Sequence, residues 1–152
     1  MFAKKVVIVA GAAGNVGTAL AKLLASRGAR VVAVDTMKSR LEAVVASLED
    51  SGHLGLSDYD LIDFTSSAAL IAKVQSIYGR LDGVGTTVGG FAMAKLEDAG
   101  LDQWDRMFNL NVKTSWNIYR AAIPAIRQTG GGALVGIASA AGLRGSAQMA
   151  AY

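Results

Sequence analysis

Short unbroken apolar runs alternate along this chain with longer segments whose apolar positions return every three or four residues. Val6-Val7-Ile8-Val9-Ala10 is β-branched and has no polar face, as expected of a strand buried on both sides of a parallel sheet. A helix is predicted from about Asn15 to Arg27, with Val16, Leu20, Leu23 and Leu24 on one face and Gly28 as its stop. Val31 to Val34 reads as a second strand and Leu41 to Leu48 as a second helix. A third strand is expected between Gly52 and Asp63, near Tyr59 to Ile62, then a helix capped by Ser66 or Ser67 and running to about Tyr78. Leu81 to Val88 is a glycine-interrupted fourth strand and Ala133 to Ala138 a fifth. Between them, residues 101–128 form the longest helical pattern. Trp104, Phe108, Val112, Trp116, Tyr119, Ile123 and Ile126 make one apolar stripe, with Pro124 kinking the helix or marking its last turns. Strand and helix in strict alternation predict an α/β fold, a Rossmann-type doubly wound parallel sheet with right-handed crossovers, over a single domain of residues 1–152.

The first strand runs directly into Gly11-Ala12-Ala13-Gly14-Asn15-Val16-Gly17, which opens the first helix. A glycine pattern gains meaning from that strand–turn–helix context. Gly11 permits the tight turn, Gly14 lets the backbone approach a pyrophosphate, and Gly17 lets the helix pack close to the strand. The helix N-terminus, at Asn15 and Val16, offers free N–H groups and a positive dipole end to phosphates. Asp35 closes the second strand, eighteen residues past Gly17. A carboxylate there can accept hydrogen bonds from the adenosine ribose and repels a 2′-phosphate, which favours NAD over NADP. Arg40 lies close by and could serve a 2′-phosphate instead; Asp35 could also cap the following turn.

Composition narrows the function classes. The chain is 52% apolar with eighteen glycines and one proline, so a core can form and disorder is excluded. The net charge of +3 comes from scattered basic residues with one doublet, Lys4-Lys5, which argues against nucleic acid as a partner. Without cysteine there is no thiol nucleophile and no thiolate metal site. His53 is the only histidine and reads as a solvated loop residue, so no metal site is expected. The N-terminal apolar run of six residues is too short for a signal-peptide core or a membrane span, which implies a cytoplasmic protein.

The fifth strand ends on Ser139, and Tyr152 lies thirteen residues later. That spacing, with Ala140-Ala141-Gly142 after the serine, resembles the catalytic segment of the short-chain dehydrogenases/reductases. The resemblance runs along the whole chain in order. It implies hydride transfer between a nicotinamide cofactor and an alcohol or carbonyl substrate. Tyr152 would supply the proton and Ser139 would polarise the carbonyl. Tyrosine ordinarily has a pKa of about 10 and must be acidified by neighbouring positive charge to serve at neutral pH. In the family a lysine stands four residues after the tyrosine; this sequence ends at Tyr152. The resemblance therefore implies the N-terminal portion of such an enzyme, one that binds a cofactor but is inactive by itself, with Tyr152 unsupported.

Other positions carry family roles by the same resemblance. Asp63 matches the position that contacts the adenine ring, with Phe64 beside it, although Asp63 or Thr65 could equally cap the next helix. Val88, Gly89 and Gly90 match the segment along which the cofactor passes; Thr86 and Thr87 stand where relatives have two asparagines. Asn111 matches the asparagine that holds a water in the proton relay, and Asn109 lies two residues away. The glycine spacing is closer to the extended branch of nucleotide-sugar epimerases. The Asn111-Val112 segment and the approach to Gly131 are closer to the branch acting on simple alcohols and 3-oxoacyl thioesters, which is the preferred reading. A dinucleotide-binding module without catalysis and an epimerase or dehydratase fragment remain as alternatives. Relatives commonly pair the long helix with its copy in a second subunit, so a homo-oligomer is expected.

Overall fold

A computed structural model describes residues 2–152. Five parallel strands form one sheet in the order β3-β2-β1-β4-β5. They are β1 (Val6–Ala10), β2 (Arg30–Val34), β3 (Leu54–Leu56), β4 (Gly83–Thr86) and β5 (Ala133–Gly136). β1 is buried at every position, and its register pairs Ile8 with Val32 on one side and Val84 on the other. The helices α1 (Asn15–Ser26) and α2 (Lys38–Ala46) cover one face, where Val9, Val31, Ala21 and Leu41 form a buried cluster. On the opposite face α3 (Phe64–Tyr78) and α5 (Thr114–Gln128) enclose Ile8, Leu70, Val84 and Ile118. Each of those large side chains contributes about 1.5–3 kcal/mol by leaving water.

The sheet is fastened at the amino end of β4 by a buried carboxylate. Asp82 accepts from Val6 N–H at 2.9 Å and from Lys5 Nζ at 2.9 Å. The Arg80 guanidinium grips both of its oxygens, at 2.7 and 2.6 Å. Arg80 foremost, with Val6 and Lys5, holds the Asp82 carboxyl well below the usual carboxylate range, against a burial that pushes it up.

Several expected boundaries move. The third strand is Leu54–Leu56, paired with Val32 to Val34, while Tyr59 to Ile62 form a connecting turn. The second helix starts at Lys38 and ends at Ala46. α3 starts at Phe64 because Asp63 is its cap, accepting from Thr65 N–H at 3.1 Å and Ser66 N–H at 3.0 Å. On α1 the buried face is Gly17, Ala21, Leu24 and Ala25, leaving Val16 and Leu23 exposed. His53 is not a free loop residue. Its Nδ1 accepts from Val31 N–H at 3.1 Å, which puts the ring proton on Nε2, 2.7 Å from the Glu49 carbonyl.

The long helical segment departs most. It comprises α4 (Leu101–Phe108), a π-helical turn (Asn109–Lys113) and α5, with Pro124 inside α5. A π turn adds a residue to the cycle and rotates the helix beyond it. The core-facing side is Met107, Thr114, Asn117, Ile118, Ala122 and Ala125. From the expected stripe Ile126 is buried and Tyr119 packs half-buried against the core, while Trp104, Phe108, Val112, Trp116 and Ile123 face outward.

Candidate functional site

The carboxyl ends of β1, β2 and β4 deliver the chain into one cleft of about 350 Å³. Gly11, Gly14 and Asp35 line it, with Arg40, Val88 and Gly89. Two of the three glycines are required sterically. Gly11 has φ +77°, and a Cβ there would meet Thr87 Oγ1 at 2.7 Å and Val88 N at 2.8 Å. A Cβ on Gly17 would lie 2.1 Å from the Gly11 carbonyl oxygen. Gly14 is different. It is the residue before α1, and its nearest neighbour to an added Cβ is Gly11 O at 3.3 Å. Its outer side is therefore left open. Asn15 and Val16 begin α1, whose first N–H groups have no partner within the helix. A backbone cradle with an open Gly14 and a helix N-terminus suits a pyrophosphate.

Asp35 faces that cradle. Its Oδ2 accepts from Ala13 N–H at 3.0 Å and its Oδ1 from Met37 N–H at 3.0 Å. It thus caps the turn after β2 and also ties the glycine loop to it. Arg40 lies against the Met37 sulfur at 4.0 Å, at the rim of the same cleft. Thr87 Oγ1 sits 3.1 Å from both the Ala10 and Gly11 carbonyls. It joins the glycine turn to the end of β4.

Asp63 and Phe64 lie apart from the lining. Asp63 is occupied as the α3 cap, and Phe64 lies under the Arg120 guanidinium at 4.2 Å. The cleft wall is built by Asp60, Leu61 and Ile62 instead. The position is held from behind by Asn117, a buried side chain whose Nδ2 donates to Leu61 O at 3.1 Å and Ile62 O at 2.9 Å. In sequence Asn117 is an inconspicuous polar residue beside an aromatic stripe. Its burial follows from the face that α5 turns to the core, shared with Thr114 and Ile118.

A second cavity of about 480 Å³ opens beyond β4 and shares Thr87, Val88 and Gly89 with the first. Ser139, Tyr152, Asn111 and Gly90 meet there. Asn111 lies in the π turn, and its amide clamps Gly90 through two bonds: Gly90 N–H to Oδ1 at 2.8 Å and Nδ2 to Gly90 O at 3.1 Å. The glycine pair is demanded by this helix. A Cβ on Gly89 would meet Asn111 Oδ1 at 2.9 Å, and one on Gly90 would meet Leu110 Cδ2 at 2.4 Å. The Ser139 oxygen accepts from Ala141 N–H at 3.2 Å, which leaves its proton free to donate into the cavity. Tyr152 packs edge-on against Phe91, with ring centroids 4.8 Å apart. That contact joins two partly exposed rings.

The short chain dehydrogenase family profile matches residues 5–152. The chain belongs to that family. Its relatives include the trans-4-hydroxycyclohexanecarboxylate dehydrogenase of Sinomonas cyclohexanicum, 30% identical over 99% of this chain and 60% of the relative. The 3beta-hydroxysteroid dehydrogenase of Mediterraneibacter gnavus is 34% identical over 99% of this chain and 55% of its own length. Among solved structures, an NAD+-bound xylitol dehydrogenase superposes with a TM-score of 0.92 at 28% identity, covering 99% of this chain and 59% of that one. The chain thus spans 55–60% of the length of these short chain dehydrogenases. Among the described residues no helix is long and apolar enough to cross a membrane, and no cluster of side chains suits a metal ion.

Proposed function

We propose that the chain is the cofactor-binding part of an NAD-dependent oxidoreductase acting between small alcohols and carbonyls. The observation that carries this reading is the junction of the two cavities along Thr87, Val88 and Gly89. An extended dinucleotide laid across that junction has its adenosine end at Asp35 and its other end between Ser139, Asn111 and Tyr152. The glycine turn and the first N–H groups of α1 hold the phosphates, and the Asp35 carboxylate takes the ribose hydroxyls. When bound, the nicotinamide supplies or accepts the hydride. Ser139 donates a hydrogen bond through its O–H to the carbonyl oxygen, where negative charge develops, and keeps its proton. Tyr152 passes a proton to or from that oxygen.

The names of the two relatives, both dehydrogenases of ring alcohols, support the simple-alcohol branch with its 3-oxoacyl reductases over the epimerases. NAD is preferred because the Asp35 carboxylate repels a 2′-phosphate, and the similar xylitol dehydrogenase is described as NAD+-bound. The cavity around Tyr152 is lined by no charged side chain among the described residues. The 152-residue chain therefore offers the phenol no cation and should turn over ketones far more slowly than the about 1 per second or more of ordinary enzymes. We also read the outward stripe of Trp104, Phe108, Val112 and Trp116, together with the exposed edge strand β5, as surfaces that pair copies of the chain.

Fluorescence titration of the purified chain with NADH and NADPH tests the reading. NADH should bind, and more tightly than NADPH, with Asp35→Ala narrowing the difference. A preference for NADPH would transfer control of the ribose end to Arg40.

A further inference from the structure

We propose that Phe91 is a positioning residue for Tyr152, the side chain that sets the phenol's place in the cavity. The inference rests on reading Tyr152 as the proton carrier, but its test observes the ring rather than the reaction.

The segment bearing Phe91 is pinned on both sides. Immediately before it, the Asn111 amide holds both backbone groups of Gly90. Three residues after it, Ala94 N–H donates to Gln148 O at 3.0 Å, and Ala94 pairs with Met149 in an isolated parallel bridge. The same bridge anchors the chain three residues before Tyr152. Gln148 adopts a left-handed backbone with φ +63°, a conformation that side-chain-bearing residues rarely adopt without local enforcement. Phe91 and Tyr152 thus emerge from two segments tied to one another, and their rings meet at 4.8 Å with planes at 88°. That edge-to-face arrangement is a favoured aromatic geometry and fixes ring orientation as well as distance.

Phe91 is 53% exposed and Tyr152 37% exposed. Neither ring is core, so burial does not explain the pairing. What Phe91 contributes is direction. The Phe91 ring is the aromatic contact made by the phenol ring. It passes on a constraint that begins at the π turn: Asn111 fixes Gly90, Gly90 fixes the backbone of Phe91, and Phe91 fixes the tyrosine.

The experiment is NMR of the chain with ring-labelled tyrosine, using Tyr152→Phe to identify the Tyr152 signals. In the parent, the Tyr152 ring protons should be displaced from free-tyrosine positions by the neighbouring ring. Phe91→Leu should return them there, while the other three tyrosines and the melting temperature stay as in the parent. Phe91→Tyr, which keeps an aromatic edge, should preserve the displacement. Tyr152 signals at free-tyrosine positions in the parent would overturn the proposal, as would signals unmoved by Phe91→Leu. A Phe91→Leu variant that melts earlier and shifts every tyrosine would assign Phe91 a general structural role and would equally overturn it.

Discussion

Replacing Gly17 by alanine sets two effects of opposite sign against each other. Gly17 lies inside α1, and helix propensity alone predicts that alanine stabilises by up to about 1 kcal/mol. Packing predicts the reverse. The new Cβ would sit 2.1 Å from Gly11 O, 2.7 Å from Gly11 C and 2.8 Å from Ala12 Cα, where ordinary contact begins at 3.4 Å. The helix and the turn must therefore separate by more than 1 Å. The turn has nowhere to go, because Gly11 is itself backed by Thr87 and Val88 at less than 3 Å from its own Cβ direction. All the clashing atoms are backbone, so no rotamer change relieves them. Overpacking of this kind costs about 1–3 kcal/mol or more, and it outweighs the propensity gain. We expect a net loss of about 1–2 kcal/mol, which in a domain of this size lowers the melting temperature by roughly 2–8 °C. The displaced turn should also weaken NADH binding by about tenfold or more, equivalent to about 1.4 kcal/mol. Calorimetric melting alongside the NADH titration measures both. Gly145→Ala, where an added Cβ meets nothing within 4 Å, should leave both unchanged. A Gly17→Ala variant that melts at or above the parent would show that the turn yields freely, and the steric reading of this glycine would be wrong.

Three further variants probe the sheet anchor, the cleft wall and the outer stripe. Asp82→Asn should cost about 2 kcal/mol at neutral pH by breaking charged hydrogen bonds to Arg80 and the bond from Val6. Because the folded carboxyl is held below its unfolded value of about 3.9, its contribution is present above that value and fades as the pH falls further. Denaturation curves of parent and variant should therefore converge toward acid, and a constant gap would contradict this. Asn117→Ala should destabilise by about 1–3 kcal/mol, since two carbonyls lose their donor. It should also weaken NADH binding by loosening Leu61 and Ile62, and unchanged binding would detach Asn117 from the cleft. Trp116→Glu places a charge on the outward stripe and should shift light scattering toward the monomer without altering the melting of that monomer.

The sequence is most legible where the environment is simplest. β1 and β2 are buried on both faces, so their apolar runs carry no competing signal, and the glycine turn answers one steric demand. β3 escapes a reading of the sequence because three residues, Leu54-Gly55-Leu56, at the sheet edge give too short a pattern. The more apolar Tyr59 to Ile62 instead lines the cleft. On the long helix the aromatic stripe outshouts the true core face, whose Thr114, Asn117, Ala122 and Ala125 are small or polar and give a weak apolar signal. Asp60 and Asp63 cannot be told apart locally, because each carboxylate accepts a backbone N–H two residues on. Only the tertiary fold puts Asp60 in the cleft wall and Asp63 on the α3 cap. The pairing of Phe91 with Tyr152, sixty-one residues apart, leaves no local signal.

The most direct measurement is amide chemical-shift mapping of the labelled chain during titration with NAD+. A single dinucleotide lying across both cavities should move Gly11 to Gly17 and Asp35 together with Val88 to Gly90, Asn111 and Ser139, all with one dissociation constant. Shifts confined to one cavity, or centred on the apolar surface beside Leu20 and Val135, would contradict the placement of the cofactor.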